Sequence, residues 1–332
     1  MSASLVRAAL LGASPFYRLV VQARNALFDS GLRTVHKVGV PVVSIGNVTT
    51  GGTGKTPMVA CVVDLLKKFG FRPGIISRGY RADSQGTNDE LKVLEQNCPG
   101  IPHVQNSDRV AAAQTLLQQS DADMLVMDDG FQHRRMHRDV DIVLIDATCP
   151  FGYGYGLPRG LLREPLASLH RATAVVLTRV DQVPEHAITE ISDVVLQYAP
   201  HLKERLFHVA FAPSVLISAD GESTELSSIR GKPVFLMSGI GNPAAFETTV
   251  RSFDATVVGR QWFPDHHHYS ISDLVDVERA ADAAGAEWIL TTQKDLVKLP
   301  ASANRFQAVC IKAQFSAGEL SRFEAVLNRL LR

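Results

Sequence analysis

The sequence predicts an α/β protein: a parallel sheet with helices on both faces, followed by a second, smaller α/β domain. Three observations predict it. Apolar, β-branched runs recur between amphipathic helical stretches, and a glycine-rich loop joins the first clear strand to a helix. The third is length, because 332 residues exceed one domain of about 100–200 residues. Lysine plus arginine equal aspartate plus glutamate at 34 each, so no global charge argues for nucleic acid, and none is expected as a partner. Cys61, Cys98, Cys149 and Cys310 form no CxxC pair and read as reduced, mostly packed thiols of a cytoplasmic protein. No run reaches the roughly 18–20 apolar residues of a spanning helix.

Taken in order, the first element is an amphipathic helix. From Pro15, Phe16, Leu19, Val20, Ala23 and Leu27 recur at helical spacing, with Arg18, Gln22, Arg24 and Asn25 on the other side. Such a helix either docks on its own domain or lies in the headgroup layer of a bilayer. Next comes PVVSIGNVTTGGTGKTPM, residues 41–58, a strand, a phosphate loop and a helix start. Backbone N–H groups of Thr49, Thr50, Gly51, Gly52, Thr53 and Gly54 can converge on an anion, Lys55 can reach the β/γ-phosphates and Thr56 can ligate Mg²⁺. The first domain is therefore P-loop NTPase-like, with ATP and Mg²⁺ as expected cofactors, although Thr49 stands where the general pattern has a glycine.

The helix after the loop ends at Lys67-Lys68-Phe69-Gly70. Strands are expected at 73–77, 124–127, 140–145 and 174–177, a helix at about 107–119, and polar, irregular chain at 81–100. Beyond Pro200, strand-like runs at 206–211, 234–237, 255–258 and 288–291 alternate with helices at 243–253 and 272–284, and a helix at 317–331 closes the chain. The expected division is 1–30 as a membrane-surface helix region, 31–199 as the P-loop domain, 200–312 as the smaller α/β domain and 313–332 as a C-terminal helix.

Phosphoryl transfer needs a carboxylate at a strand end near the phosphate loop, and Asp128-Asp129 opens DDGFQHRRMHRD at that place. Ser77-Arg78-Gly79-Tyr80 brings a guanidinium to the end of the second strand. Residues 157–165, LPRGLLREP, add Arg159, Arg163 and Glu164. FPDHHHY, residues 263–269, holds three adjacent histidines that point in different directions; one is expected to act as or orient an acid–base group.

GNVTTGGTGKTP at 46–57, SRGY at 77–80, NDE at 88–90, DDGFQH at 128–133, LPRGLLREP at 157–165, SGIGNP at 238–243, FPDHHHY at 263–269 and TTQKDLVKL at 291–299 together resemble the tetraacyldisaccharide 4'-kinase family. The resemblance implies transfer of the γ-phosphate of ATP to the 4'-hydroxyl of an acylated disaccharide 1-phosphate in lipid A biosynthesis. It implies Lys55 and Thr56 for Mg-ATP, Asp128 or Asp129 for the metal, Asp89 as the base assisted by His266, and Glu164 as a further metal- or substrate-site carboxylate. Arg78, Asn88 and Arg163 are taken as substrate contacts. A lipid acceptor favours the membrane-surface reading of the N-terminal helix, with Arg7, Arg18 and Arg24 toward an anionic leaflet. The expected place is peripheral, on the cytoplasmic face of the inner membrane, with no obligate protein partner. Closure of the second domain is expected to bring His266 toward Asp89.

The main alternative is a P-loop GTPase of the metallochaperone or membrane-protein-targeting type, with Thr178-Arg179-Val180-Asp181 as a degenerate guanine-recognition string. A third is a nucleotide-gated membrane adaptor that transfers no phosphate.

Overall fold

The computed structural model of the protein describes residues 3–79, 88–241, 243–265 and 267–331. In chain order the elements are α1 (Ala3–Asp29), β1 (Val42–Asn47), α2 (Lys55–Lys68), β2 (Pro73–Ser77), α3 (Asp89–Asn97), β3 (His103–Gln105), α4 (Arg109–Gln119), β4 (Met124–Asp128), β5 (Val140–Asp146), β6 (Ala174–Thr178), α5 (Glu185–Tyr198), β7 (Leu206–Ser218), β8 (Ser223–Glu225), β9 (Pro233–Ser238), α6 (Pro243–Arg251), β10 (Thr256–Trp262), α7 (Ile271–Ala283), β11 (Trp288–Thr292), α8 (Gln293–Leu296), β12 (Phe306–Gln314) and α9 (Ala317–Leu331). The α/β class expected from the sequence is the one observed.

The chain divides into two compact units. In the first, the strand order is β3-β2-β4-β1-β5-β6-β7, and each neighbouring pair is parallel. All six residues of β1 are buried, as a strand covered on both faces requires. α4 starts on Asp108, whose side chain accepts from Val110 N, and α2 ends on Lys67 and Lys68, charges that favour the negative end of the helix dipole.

The second unit contains α3 and residues 212–312. Its strands run β10-β9-β11-β12-β7-β8. Phe235, Met237, Leu274, Val277, Ile289 and Phe306 pack on one side of this sheet. β7 begins in the first unit, where Leu206 pairs with Val175, and ends in the second, where Val215 pairs with Glu225. α9 groups with the first unit, where Glu324 pairs with Lys68 of α2.

Two expectations are corrected. Within the stretch expected to be irregular, 89–97 forms α3. Asn88 caps it by accepting from Leu91 N at 2.8 Å, and Leu91, Val93 and Leu94 are buried; three apolar residues in nine give too short a period to recognise. In α1, Arg24, expected toward an anionic leaflet, turns to Glu164 instead, donating to it at 2.8 Å. The docked edge of α1 is Ser14, Val21, Asn25 and Phe28, all buried, with Tyr17 donating to Arg163 O at 3.2 Å. Phe16, Leu19 and Val20 are 70%, 62% and 53% exposed. Polar partners on the loop before β6 decide which edge is buried, and a hydropathy pattern does not register them.

Candidate nucleotide site

β1 delivers the chain to the phosphate loop, and α2 carries it away. Gly54, immediately before α2, adopts φ 85°, a left-handed conformation that costs an L-residue about 1–2 kcal/mol. A β-carbon there would also collide with the ring of Phe211, so two independent facts demand glycine. Pro57 lies in the first turn of α2, where no intrahelical N–H bond is lost.

The loop is held from several sides. Thr50 N donates to Leu161 O at 2.7 Å and Arg163 N to Val48 O at 2.8 Å, so the stretch 157–163 lies alongside its start. Asn47 Nδ2 donates to the Thr53 hydroxyl at 3.0 Å. At its end, the Thr178 hydroxyl donates to Thr53 O at 3.1 Å and Arg179 to Gly52 O at 2.8 Å. With these carbonyls engaged, the peptide planes of 52–54 are fixed. Arg179 is itself ion-paired with Asp146 and lies 5.9 Å from the Phe211 ring centroid. Thr178 and Arg179, which the sequence offers only as part of a guanine-recognition string, thus brace the phosphate loop.

Asp128 ends β4, opposite Ile45 of β1, and is buried. Asp129 follows with φ 51°, and Gly130 fits only because a β-carbon there would run into Ser44 and Met127. The Asp129 carboxylate faces Lys55 Nζ at 3.6 Å and takes Arg163 bidentately at 2.8 and 3.2 Å. Burial by itself would raise its pKa, but Lys55 and Arg163 outweigh burial and hold it below the ordinary value. Arg163 also reaches Asn47 Oδ1 at 3.2 Å, so the arginine expected to contact substrate is tied into the nucleotide site. Arg109, unremarked in the sequence, is 3% exposed and donates to the carbonyls of Asn106 and Ser107. Burial lowers its pKa, while Asp129 and Asp128 oppose that effect. Such a guanidinium on the N-terminal residue of a helix gives no periodic signal.

The other expected residues fall elsewhere. Glu164 does not join the carboxylates beside Lys55: its side chain is fully buried and accepts from Arg24 at 2.8 Å, Arg171 at 2.8 Å and Asn25 at 3.0 Å. Both oxygens are engaged in fastening α1 to the first unit, which replaces the expected metal role. Asn88 is the cap of α3 described above, and Arg78 is exposed just after β2. Asp89 sits in the first turn of α3 in the second unit. His266, like Tyr80, lies outside the described residues. The described residues that flank His266 belong to the same unit as Asp89.

Among the described residues no group of three or more His, Cys, Asp or Glu is arranged to hold a metal. A nucleotide-linked Mg²⁺ uses one or two carboxylates, a hydroxyl, phosphate oxygens and water, and Thr56 with the Asp128-Asp129 pair supplies those donor types.

Parallel sheet, phosphate loop, loop lysine and strand-end carboxylates define a P-loop nucleotide-binding protein of the phosphoryl-transfer kind. The sequence profile of the Tetraacyldisaccharide-1-P 4'-kinase family matches residues 6–332. The chain belongs to that family. It is 40% identical over 336 aligned positions to the tetraacyldisaccharide 4'-kinase of Anaeromyxobacter sp. (strain Fw109-5), covering 95% of this chain and 90% of that protein. It is 39% identical over 313 positions to the enzyme of the same name from Syntrophus aciditrophicus (strain SB), covering 86% and 82%. The crystal structure of "apo" form LpxK from Aquifex aeolicus in complex with ATP matches with a TM-score of 0.81 at 27% identity, covering 98% of this chain and 100% of that one.

Proposed function

We propose that the chain transfers the γ-phosphate of ATP to the 4'-hydroxyl of tetraacyldisaccharide 1-phosphate, in lipid A biosynthesis, at the cytoplasmic face of the inner membrane. The observation that carries the nucleotide half is the braced phosphate loop with Lys55 and Asp129 at its mouth, 3.6 Å apart. In the reaction the loop N–H groups and Lys55 hold the triphosphate, Lys55 leaving Asp129 for the phosphate oxygens. Thr56 and a carboxylate of Asp128 or Asp129 hold Mg²⁺, which offsets negative charge on the phosphates. Asp89 accepts the proton of the 4'-hydroxyl as its oxygen bonds to the γ-phosphorus, the bond to the β-phosphate oxygen breaks and ADP leaves; His266 orients or relieves the carboxylate.

A lipid acceptor accounts for α1, which docks by one edge and exposes Phe16, Leu19 and Val20 on another. No described helix is long and apolar enough to cross a membrane, so the reading is an interfacial helix. Incubation with γ-labelled ATP and the disaccharide 1-phosphate should place label on the lipid; ATP consumption with label only in inorganic phosphate overturns the assignment. Replacing Phe16 and Leu19 together by glutamate should reduce partition onto anionic vesicles and leave ATP binding intact. Undiminished partition would remove α1 from the membrane contact.

A further inference from the structure

The second unit contains a buried polar hub that the nucleotide chemistry does not use. At its centre is Asp295, with a fully buried side chain. One carboxylate oxygen accepts from the Thr292 hydroxyl at 2.7 Å, Gly239 N at 3.1 Å and the Ser238 hydroxyl at 3.2 Å. The other accepts from the Tyr269 hydroxyl at 2.9 Å and faces Lys298 Nζ at 3.5 Å. The same ammonium lies 3.5 Å from Asp89 Oδ2 and is 7% exposed. A β-carbon on Gly239 would stand 2.8 Å from the Tyr269 oxygen, so the close approach that builds the hub requires glycine.

We propose that Lys298, anchored by Asp295, is a positioning residue that aims the Asp89 carboxylate in the first turn of α3. A lysine on a flexible four-carbon stem orients a neighbour only if its own head is fixed. Here Asp295 fixes it, and four uncharged donors from β9, the loop before α7 and the start of α8 fix Asp295. α3 is tied at its other end as well, where Gln293 Nε2 donates to Asn97 Oδ1 at 2.9 Å. The hub also takes Tyr269 from the 263–269 loop, so one buried carboxylate sets both α3 and the chain segment that carries the histidines. This gives work to two sequence strings that nucleotide binding leaves idle, SGIGNP and TTQKDLVKL. A base held in a narrow set of rotamers is worth far more than one free to swing, since about 1 Å of misplacement can cost 100-fold in rate.

The inference rests on Asp89 being the acceptor base. The test compares the full-length protein with Lys298→Met and Lys298→Arg, using ATP and the disaccharide lipid. Lys298→Met should lower kcat about 100-fold with KM for ATP changed less than about twofold, and Lys298→Arg should recover at least about tenfold of the loss. Both should keep the native fluorescence of Trp262 and Trp288, the only tryptophans in the chain and both in the second unit. A Lys298→Met protein within about threefold of the unaltered kcat overturns the positioning role, and so does loss of the native tryptophan signal in both variants, which would make Lys298 a structural support. Failure of the unaltered protein to label the lipid brings down the kinase reading itself and is visible before any variant is compared.

Discussion

Asp129 of the first unit and Asp295 of the second both sit among cations and hydrogen-bond donors, yet their surroundings differ in kind. Asp129 keeps 26% of its side chain exposed and is held by two long side chains, Lys55 and Arg163. Asp295 is fully buried and accepts from three hydroxyls and a backbone N–H besides Lys298. Exchanging a partner at Asp129 costs little, because water can take the place of a lysine that moves to an incoming phosphate. At Asp295 loss of the carboxylate strands several donors at once, each costing about 1–3 kcal/mol. The contrast is between a carboxylate open to an exchange of partners and one enclosed by them.

The sharpest way to break this comparison is Lys55→Met. It should depress phosphoryl transfer by about 10³-fold, the scale on which a single cation at a transferring phosphoryl group acts, with the folded state retained by circular dichroism. Turnover within tenfold of the unaltered protein would mean that Asp129 and Lys55 are a fixed structural pair after all. Asp295→Ala is the complementary test and should act on stability, by about 3–5 kcal/mol, since it removes one side of a buried ion pair. Urea unfolding followed by the fluorescence of Trp262 and Trp288 reads the second unit directly, and a midpoint unmoved from the unaltered protein would refute the hub.

A smaller effect separates the units by pH. Burial holds the imidazoles of His103 and His133, both in the first unit, down to about 4 from the ordinary 6.5. Their folded pKa values lie below the unfolded ones, so the unfolded chain binds more protons between these limits. Stability should therefore fall as pH drops from about 6.5 toward 4, and carboxylates with depressed values, such as Asp129 and Glu164, add their own loss as pH falls through their ordinary values. Hydrogen exchange in β2 and β3 should show the loss, and His103→Gln should flatten it. An unchanged slope in that variant would assign the pH dependence to other groups.

Much of this molecule is legible in one dimension. The β1–loop–α2 passage is visible because its signals are local: β-branched residues, glycines and Lys55-Thr56 within eighteen positions. The strand-end pair Asp128-Asp129 is visible for the same reason. Glu164 is misplaced by its motif, because nothing local shows that Arg24, 140 positions earlier, takes one of its oxygens. α3 is missed because nine residues contain too few apolar positions for a period, and the brace formed by Thr178 and Arg179 is hidden in a string that suggests another chemistry.

By itself, then, the sequence determines the α/β class, the nucleotide grip and the family, since each is written in contiguous residues whose chemistry and order suffice. Tertiary structure alone decides which edge of α1 is buried, which unit carries Asp89, and which carboxylates are open to new partners. Those outcomes depend on burial and on donors brought together across more than a hundred positions, as Tyr17 is with Arg163 and Asn25 with Glu164. Desolvation makes such partnerships binding only once the chain has folded.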